Sequence, residues 1–433
     1  MEDLWKLSAT EIGSRLKNQN LTVELYATSL IDRISQRDCH VKAWAYCDSE
    51  AIIAEAKRLD RIPYNQRGPL HGIPVGIKDV ILTKDQPTRY GSRIYENNPA
   101  TGVDATVVSI LRNAGALIFG KTATTEFAAT SRGGLCANPH NPDHTPGGSS
   151  SGSAVAVADF HVPVALGTQT GGSIVRPGSF CGVYAFKPTW NMISTEGMSR
   201  FSISCDTMGF FTRTIDDLEL VLRPFSIPLL DSNTLPPQTS LQGAKVALLR
   251  THAWPKAGPG TQAAWDIARG ILQNSGATVE DAELYTYFSR FPELTKAIVS
   301  KEAQSSFASY MSSAKDLLDP SIIQTVENGQ RTDTTEFLKS YEEVARLRPI
   351  WDSWASQYDV ILTPSVPDEA PRGLEWTGDA SFCSMWTLLH VPVLNIPIAK
   401  GENGLPVGLS MVGPRYGDMN VLRAARLLND ALR

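Results

Sequence analysis

The sequence predicts an α/β protein, because helix-like and strand-like segments alternate along it. Leu70–Val80 is short, apolar and broken by glycine and proline, which is typical of a buried strand. Residues 105–119 read as a helix followed by an apolar strand. Further on, the strand Lys245–Leu249, the amphipathic helix Thr261–Asn274 and a strand near 277–280 predict a βαβ unit.

Local sequence signals also predict elements near the N-terminus and in the second half of the chain. Ser8 and Glu11 fit a capping box that starts a helix. Thr22 fits the N-cap of a second helix, whose inner face would carry Leu25, Leu30, Ile31 and Ile34. Later segments are predicted as a proline-rich connector at 224–240, a mainly helical stretch at 285–357, strands at Tyr358–Thr363, Leu389–Ile398 and Leu405–Val412, and a helix at 419–432.

Composition excludes several classes of protein. The chain has 433 residues, 42% of them hydrophobic and 20% charged, which is ordinary for a soluble globular protein. A net charge of −5 argues against a nucleic-acid-binding surface. The acidic start lacks the apolar core of a signal peptide, and no apolar run reaches the roughly 18 residues of a membrane span. We therefore expect a cytoplasmic protein that binds neither nucleic acid nor membrane.

Cysteine and histidine patterns do not predict a metal site. The six cysteines are scattered without a C-x-x-C pair and read as mostly buried thiols in a reducing compartment. His140 and His144 are four residues apart, but the prolines around them argue against a helix that would stack the two rings. We expect no metal.

Two Gly/Ser clusters carry the strongest functional signal. The first is Gly147–Ser153 and the second is Gly167–Ser173, with a predicted helix at Ser153–Phe160 and a strand at Val162–Leu166 between them. This order returns the second loop to the same sheet edge as the first, where α/β enzymes place their sites. Serine hydroxyls beside free backbone N–H groups are the parts needed to attack a carbonyl and hold the resulting oxyanion.

These clusters, with several other blocks in the same order, resemble the amidase signature family. The blocks are Gly147–Ser153, Gly167–Ile174, Phe180–Thr189, His71–Asp79, Gly91-Ser92, Asp206–Gly209 with Arg213, and Gly404–Pro414. The resemblance covers roughly 1–220 and 355–433 and is weak over 225–355. It implies one domain spanning 1–433, built on a large mixed β-sheet with helices on both faces. Within it we expect a helical segment at 1–60, a catalytic core at 70–220, a variable substrate-side region at 225–355 and a return to the core at 356–433.

The resemblance implies a Ser–cis-Ser–Lys triad, in which Ser173 is the nucleophile, Ser149 the bridging serine and Lys78 the base. A serine hydroxyl needs a base to take its proton, and a lysine with an ordinary pKa is charged at pH 7. Burial among apolar neighbours such as Val75 and Ile77 would disfavour that charge. Lowering the lysine pKa to about 7 takes roughly 3 units, which a buried site can supply.

The same resemblance assigns supporting parts to the two loops. It implies a cis peptide bond at Gly148–Ser149 and a hydrogen bond from Ser150 that supports Lys78. The backbone N–H groups of Thr170, Gly171, Gly172 and Ser173 would form the oxyanion hole. Glycines there let the amides converge on one oxygen, and one such donor is worth about 3 kcal/mol.

Two departures from the family pattern occur together. Gln169 stands where the family commonly has Asp, and Val175 where it commonly has Arg, with Arg176 one position later. Our hypothesis is that the common pair is structural and is replaced here by a neutral Gln and a re-aimed Arg. Either side chain reaching into an acyl pocket would contradict this.

Other interpretations of these residues stay open. Trp376, Phe382 and Trp386 could form an aromatic wall of the substrate pocket or simply pack in the core. Gly148–Gly152 also fits G-x-S-x-G, with Ser150 as an α/β-hydrolase nucleophile. Ser14–Lys17 fits the S-x-x-K of penicillin-binding enzymes, but its partner motifs are missing.

The expected activity is hydrolysis of the C–N bond of a small carboxylic amide, or of a related ester or carbamate, without a cofactor. The alternatives are an amidotransferase A-type subunit that passes ammonia to a partner enzyme, and a non-catalytic binding protein on the same fold. The expected partners are the small-molecule amide and, for a homodimer, a second copy of the chain.

Overall fold

The computed structural model describes residues 3–225, 227 and 239–432. Most of the proline-rich connector predicted at 224–240 lies outside these residues. Among those described, eleven strands form one mixed sheet in the order β1-β3-β2-β4-β6-β5-β10-β11-β9-β7-β8. The strands are β1 Trp44–Tyr46, β2 Pro74–Lys78, β3 Leu117–Thr122, β4 Val164–Gln169, β5 Tyr184–Lys187, β6 Thr207–Thr212, β7 Lys245–Arg250, β8 Thr278–Glu283, β9 Val360–Pro364, β10 Val393–Lys400 and β11 Pro406–Val412.

Fourteen α-helices are found in the described segments, and they cover both faces of this sheet. They are α1 Ala9–Lys17, α2 Val23–Val41, α3 Ser49–Asp60, α4 Thr106–Asn113, α5 Ser151–Ala158, α6 Val175–Cys181, α7 Ile215–Leu222, α8 Pro259–Asn274, α9 Phe291–Ser306, α10 Ala308–Ser313, α11 Pro320–Arg331, α12 Thr334–Ala355, α13 Ser384–Leu388 and α14 Asp418–Leu432.

Strand β7 shows how the two faces are buried. Val246 and Leu248 pack in one hydrophobic cluster, whereas Ala247 and Leu249 pack in another. Successive side chains of a strand point to opposite faces, so each face of the sheet has its own core. Helices α8 and α14 contribute to the first cluster and α9 and α12 to the second.

The predicted βαβ unit is confirmed, because β7 and β8 pair in parallel and α8 connects them. The capping box is also present: Glu11 N–H donates to Ser8 Oγ, and Ser8 N–H donates to the Glu11 carboxylate at 2.7 Å. Thr22 caps α2 through Leu25 N–H, as predicted.

Two details differ from the sequence prediction. Leu25 is 53% exposed rather than on the inner face of α2, because five residues at 3.6 per turn place it about 140° around the helix from Leu30, which is fully buried. The strand predicted from Leu389 begins only at Val393, after α13 and a left-handed residue, His390, with φ 65°. The cysteines are mostly buried, as predicted, with Cys39 and Cys47 as the exceptions.

Candidate active site

Lys78 is the last residue of β2, which lies between β3 and β4 in the sheet. Its side chain is fully buried, yet Nζ meets only uncharged oxygen atoms. Nζ donates to Ser149 Oγ at 2.7 Å, to Ser150 Oγ at 3.0 Å and to Thr168 Oγ1 at 2.7 Å. Burial holds the pKa of Lys78 well below its ordinary value.

Two nearby buried charges act on this pKa in opposite directions. The Asp206 carboxylate raises the pKa of Lys78, and the Arg176 guanidinium lowers it. Both effects are smaller than that of desolvation. The site therefore disfavours the charged amine, which is the condition a lysine needs to accept a proton at neutral pH.

The first Gly/Ser loop brings its serines to this amine. The Gly148–Ser149 peptide bond is cis, and Ser150 precedes the first residue of α5. Ser150 Oγ donates to the Thr168 carbonyl at 3.0 Å and accepts from Thr168 N–H at 3.2 Å. These two bonds join the first loop to the end of β4, so the two loops meet at one sheet edge, as predicted from their order in the chain.

The second loop runs from the end of β4 to α6 and carries Ser173, whose residue surface is 8% exposed. The N–H groups of Gly171, Gly172 and Ser173 donate to no acceptor among the residues that the structure describes. A Cβ added to Gly172 would lie 3.1 Å from Cys383 Cβ, so a side chain at Gly172 would displace its neighbour. The loop therefore presents free amides beside a serine hydroxyl.

The buried Gln169 side chain holds the second loop by hydrogen bonds. Its Oε1 accepts from the N–H groups of Ile174 and Val175 at 2.8 and 3.0 Å, which start α6. Its Nε2 donates to Thr387 Oγ1 at 2.9 Å, and Thr387 in turn donates to the Gly171 carbonyl at 2.8 Å. The fully buried Gln169 side chain thus connects both ends of the loop.

Arg176 holds the first loop instead. The side chain is buried, and its guanidinium donates to the Gly148 carbonyl at 2.6 Å, to the Gly378 carbonyl at 2.7 Å and to Thr377 Oγ1 at 3.1 Å. Gln169 and Arg176 are therefore both used in hydrogen bonds to backbone groups and to a threonine hydroxyl. This agrees with the hypothesis that they are structural.

Sequence reasoning missed two side chains at this site, Thr168 and Asp206. Thr168 contacts Lys78 directly, and Asp206 accepts from Thr170 Oγ1 at 2.5 Å and from the N–H groups of Phe201 and Ser202. Burial raises the pKa of Asp206 to about 6. Both residues lie inside the quoted sequence blocks, but their roles depend on neighbours from other parts of the chain.

The three aromatic residues proposed for a pocket wall lie in different surroundings. The Trp376 side chain is about half exposed, whereas Phe382 and Trp386 are buried. Trp386 packs against Trp351 with ring centroids 4.9 Å apart, inside the second hydrophobic cluster. Core packing explains Trp386, and the aromatic wall stays a prediction.

The fold and this site define an α/β protein in which two Gly/Ser loops converge on a buried lysine whose charged form is disfavoured. The sequence profile of the Amidase family matches residues 26–422. The chain therefore belongs to the amidase family, in agreement with the resemblance found in its sequence blocks.

Alignments with individual relatives cover nearly the whole chain. The A-type subunit of glutamyl-tRNA(Gln) amidotransferase from Solidesulfovibrio magneticus is 31% identical over 480 aligned positions, which cover 100% of this chain and 98% of that protein. A solved structure described as an amidase superposes with a TM-score of 0.87 at 28% identity, covering 98% of this chain and 99% of that one. The corresponding glutamyl-tRNA(Gln) amidotransferase subunit from Thermotoga maritima superposes with a TM-score of 0.78 at 27% identity, covering 98% and 94%.

Neither a metal site nor a membrane-spanning helix is found in the part of the chain that the structure describes. No three His, Cys, Asp or Glu side chains in these segments are grouped so as to hold a metal ion. None of the helices described is long and apolar enough to cross a bilayer.

Proposed function

We propose that the protein hydrolyses the C–N bond of a carboxylic amide through an acyl-enzyme on Ser173. The observation that carries this proposal is the environment of Lys78, a buried amine held by hydroxyl and carbonyl oxygens alone. The 2.7 Å hydrogen bond from Lys78 Nζ reaches Ser149 Oγ, which places an amine with a lowered pKa beside the serine proposed to relay the proton of Ser173.

The proposed steps use only groups of this site. Ser173 Oγ forms a bond to the substrate carbonyl carbon while its proton passes to Ser149, and the Ser149 proton passes to Lys78. The backbone N–H groups of Thr170, Gly171, Gly172 and Ser173 hold the oxyanion. When the C–N bond breaks, the proton returns through Ser149 to the leaving amine, and water then hydrolyses the acyl-enzyme in the same way.

The curated relatives bear on whether the protein acts alone or as a subunit. They support the alternative of an amidotransferase A-type subunit better than a free-standing hydrolase of small amides. We therefore propose a primary amide as substrate, with ammonia as the leaving group passed to a partner enzyme. A free-standing amidase is the second candidate, because the structure described as an amidase superposes more closely than the Thermotoga maritima protein.

The chemistry is tested by Ser173→Ala. We expect turnover of a panel containing glutamine, asparagine, aliphatic and aryl amides to fall by a factor on the order of 10⁶, because the nucleophile is lost. Covalent labelling by a fluorophosphonate should disappear as well. Ser151→Ala is the matched control, since Ser151 is a buried serine of the first loop whose hydroxyl donates to the Gly147 carbonyl and, among the described residues, contacts neither Lys78 nor Ser173. Undiminished turnover in Ser173→Ala would disprove the assignment.

An amidotransferase subunit is distinguished from a free-standing amidase by measuring ammonia release from glutamine with and without added partner subunits of an amidotransferase. An A-type subunit should co-purify with those partners, and they should raise its activity. A protein that hydrolyses simple amides at full rate alone, and binds no partner, is the free-standing amidase. Either result leaves the Ser173→Ala test unaffected.

A further inference from the structure

A cavity lies apart from the residues of the candidate active site. It has a volume of about 600 Å³ and is bordered by α1, the segment 64–71 and the end of α7. Lys78, Ser149 and Ser173 do not line it. The volume is in the range of pockets that hold small metabolites.

The charges around this cavity are all of one sign. Lys17, Arg67 and Arg223 line it, and no aspartate or glutamate does. Lys17 and Arg223 are exposed, and neither forms a salt bridge with any residue that the structure describes. Arg67 is tied down by the backbone, since its guanidinium donates to the carbonyls of Ile62 and Leu16 at 3.0 and 3.4 Å. Among the described residues, the lining of the cavity therefore holds three cations and no carboxylate.

His71 also borders this cavity. The residue is 8% exposed, and both ring nitrogens lack accessible surface, so a ligand in the cavity does not bond to them. Its backbone is fixed on both sides, because Leu70 N–H and Gly72 N–H donate to the carbonyls of Ala114 and Gly115. His71 therefore shapes the cavity rather than binding its occupant.

One carboxylate lies close to these groups without lining the cavity. Asp60 accepts from the N–H groups of Val23 and Glu24 at 2.8 and 3.0 Å, at the start of α2. Burial, together with Arg67, outweighs the opposing effect of Asp60 and lowers the pKa of His71 to about 4, so the ring is neutral at pH 7. The positive charge of the lining therefore comes from Lys17, Arg67 and Arg223.

We propose that this cavity binds the oxyanion of a small metabolite, either a phosphate or a carboxylate. The oxyanion lies among Lys17, Arg67 and Arg223. Arginine forks and lysine ammonium groups are the usual partners of both oxyanions. The site is separate from the amide-hydrolysing centre and does not depend on the function proposed for it.

Gly13 gives a direct way to test the site. It lies within α1 and lines the cavity, and a Cβ added there meets no atom within 4 Å. Gly13→Glu places a carboxylate among the three cations, where it competes with an added anion. Gly13→Gln has nearly the same shape without the charge and is the matched control. Both variants should fold, because both side chains favour a helix more than glycine does.

Binding is measured by calorimetry and thermal shift with glycerol 3-phosphate, malate and, as the neutral probe, glycerol. We expect saturable binding of at least one anion by the wild type and Gly13→Gln, and none of glycerol. Affinity should fall at least tenfold in Gly13→Glu and in Lys17→Gln/Arg223→Gln. Comparing the two anions shows whether the cavity takes phosphate or carboxylate. Failure of both anions to bind the wild type, or equal affinity in Gly13→Glu, would overturn the proposal.

Discussion

The two faces of the β2–β3 strand pair each bury a lysine, and the two lysines have different surroundings. The strands are parallel, and their register places Lys78 opposite Thr122 and Lys121 opposite Ile77. Because side chains alternate along a strand, Lys78 and Lys121 lie on opposite faces of the sheet. Lys121 Nζ lies 3.2 Å from the Asp79 carboxylate, whereas Lys78 Nζ contacts three hydroxyls.

The difference shows that burial alone does not decide whether a lysine can act as a base. Desolvation is the largest influence on both pKa values and lowers each. Asp79 opposes it at Lys121, where the pKa is about 8, so this amine is still mostly charged at pH 7. At Lys78 the pKa falls well below its usual value, since no carboxylate bonds to the amine. The same residue type is thus paired with a carboxylate on one face and held by hydroxyl groups on the other.

Of the substitutions that test this comparison, Lys78→Met should have the largest effect, and the effect should be on kcat. Removing the proposed base should lower kcat by roughly 10⁴-fold or more, because Ser173 is then left without a proton acceptor. The fold should persist, since methionine has a similar length and the buried amine is costly to desolvate. Turnover and circular dichroism measured on the same preparation check both statements. Activity near that of the wild type would show that another group is the base.

Lys121→Met should mainly affect stability. It leaves the Asp79 carboxylate buried without its cation, which typically costs about 3–5 kcal/mol. Urea unfolding measures this loss, and turnover per folded molecule should change far less than in Lys78→Met. The double variant Asp79→Asn/Lys121→Met should recover much of the stability, since no unpaired charge is buried. An unchanged unfolding midpoint in the single variant would contradict a buried ion pair.

Arg176→Met should give the smallest effect, a shift in the pH dependence of kcat/KM. The acid limb reports the pKa of the free base, because only neutral Lys78 accepts a proton. Arg176 lowers that pKa, so removing its charge should move the acid limb to higher pH. Arg176→Lys keeps the charge with fewer donors and should leave the limb nearly in place. A shift of the same size in both variants would mean that loop geometry, not charge, is responsible.

Much of the architecture could be predicted from short-range patterns. The capping box at Ser8, the cap at Thr22 and the β7–α8–β8 unit depend on residues close in the chain, and all three are found. The expected inner position of Leu25 is wrong, since a spacing of five residues puts it about 140° around α2 from the buried Leu30. The start of β10 was also misplaced, because the apolar run Leu389–Val393 contains a left-handed turn at His390.

Prediction of the site from sequence has the same limit. Glycine spacing and the strand–loop pattern are local properties, and they were enough to predict that the two serine loops meet at one sheet edge. Lys78 was selected by the resemblance of its sequence block to the amidase signature family. Which groups surround each buried lysine, how Gln169 and Arg176 are used, and which cations line the cavity beside His71 could not be predicted in this way. Those features depend on contacts between residues far apart in sequence, such as Gln169 with Thr387 and Arg176 with Gly378. Long-range packing sets desolvation and charge pairing, and these two quantities distinguish the surroundings of Lys78 from those of Lys121.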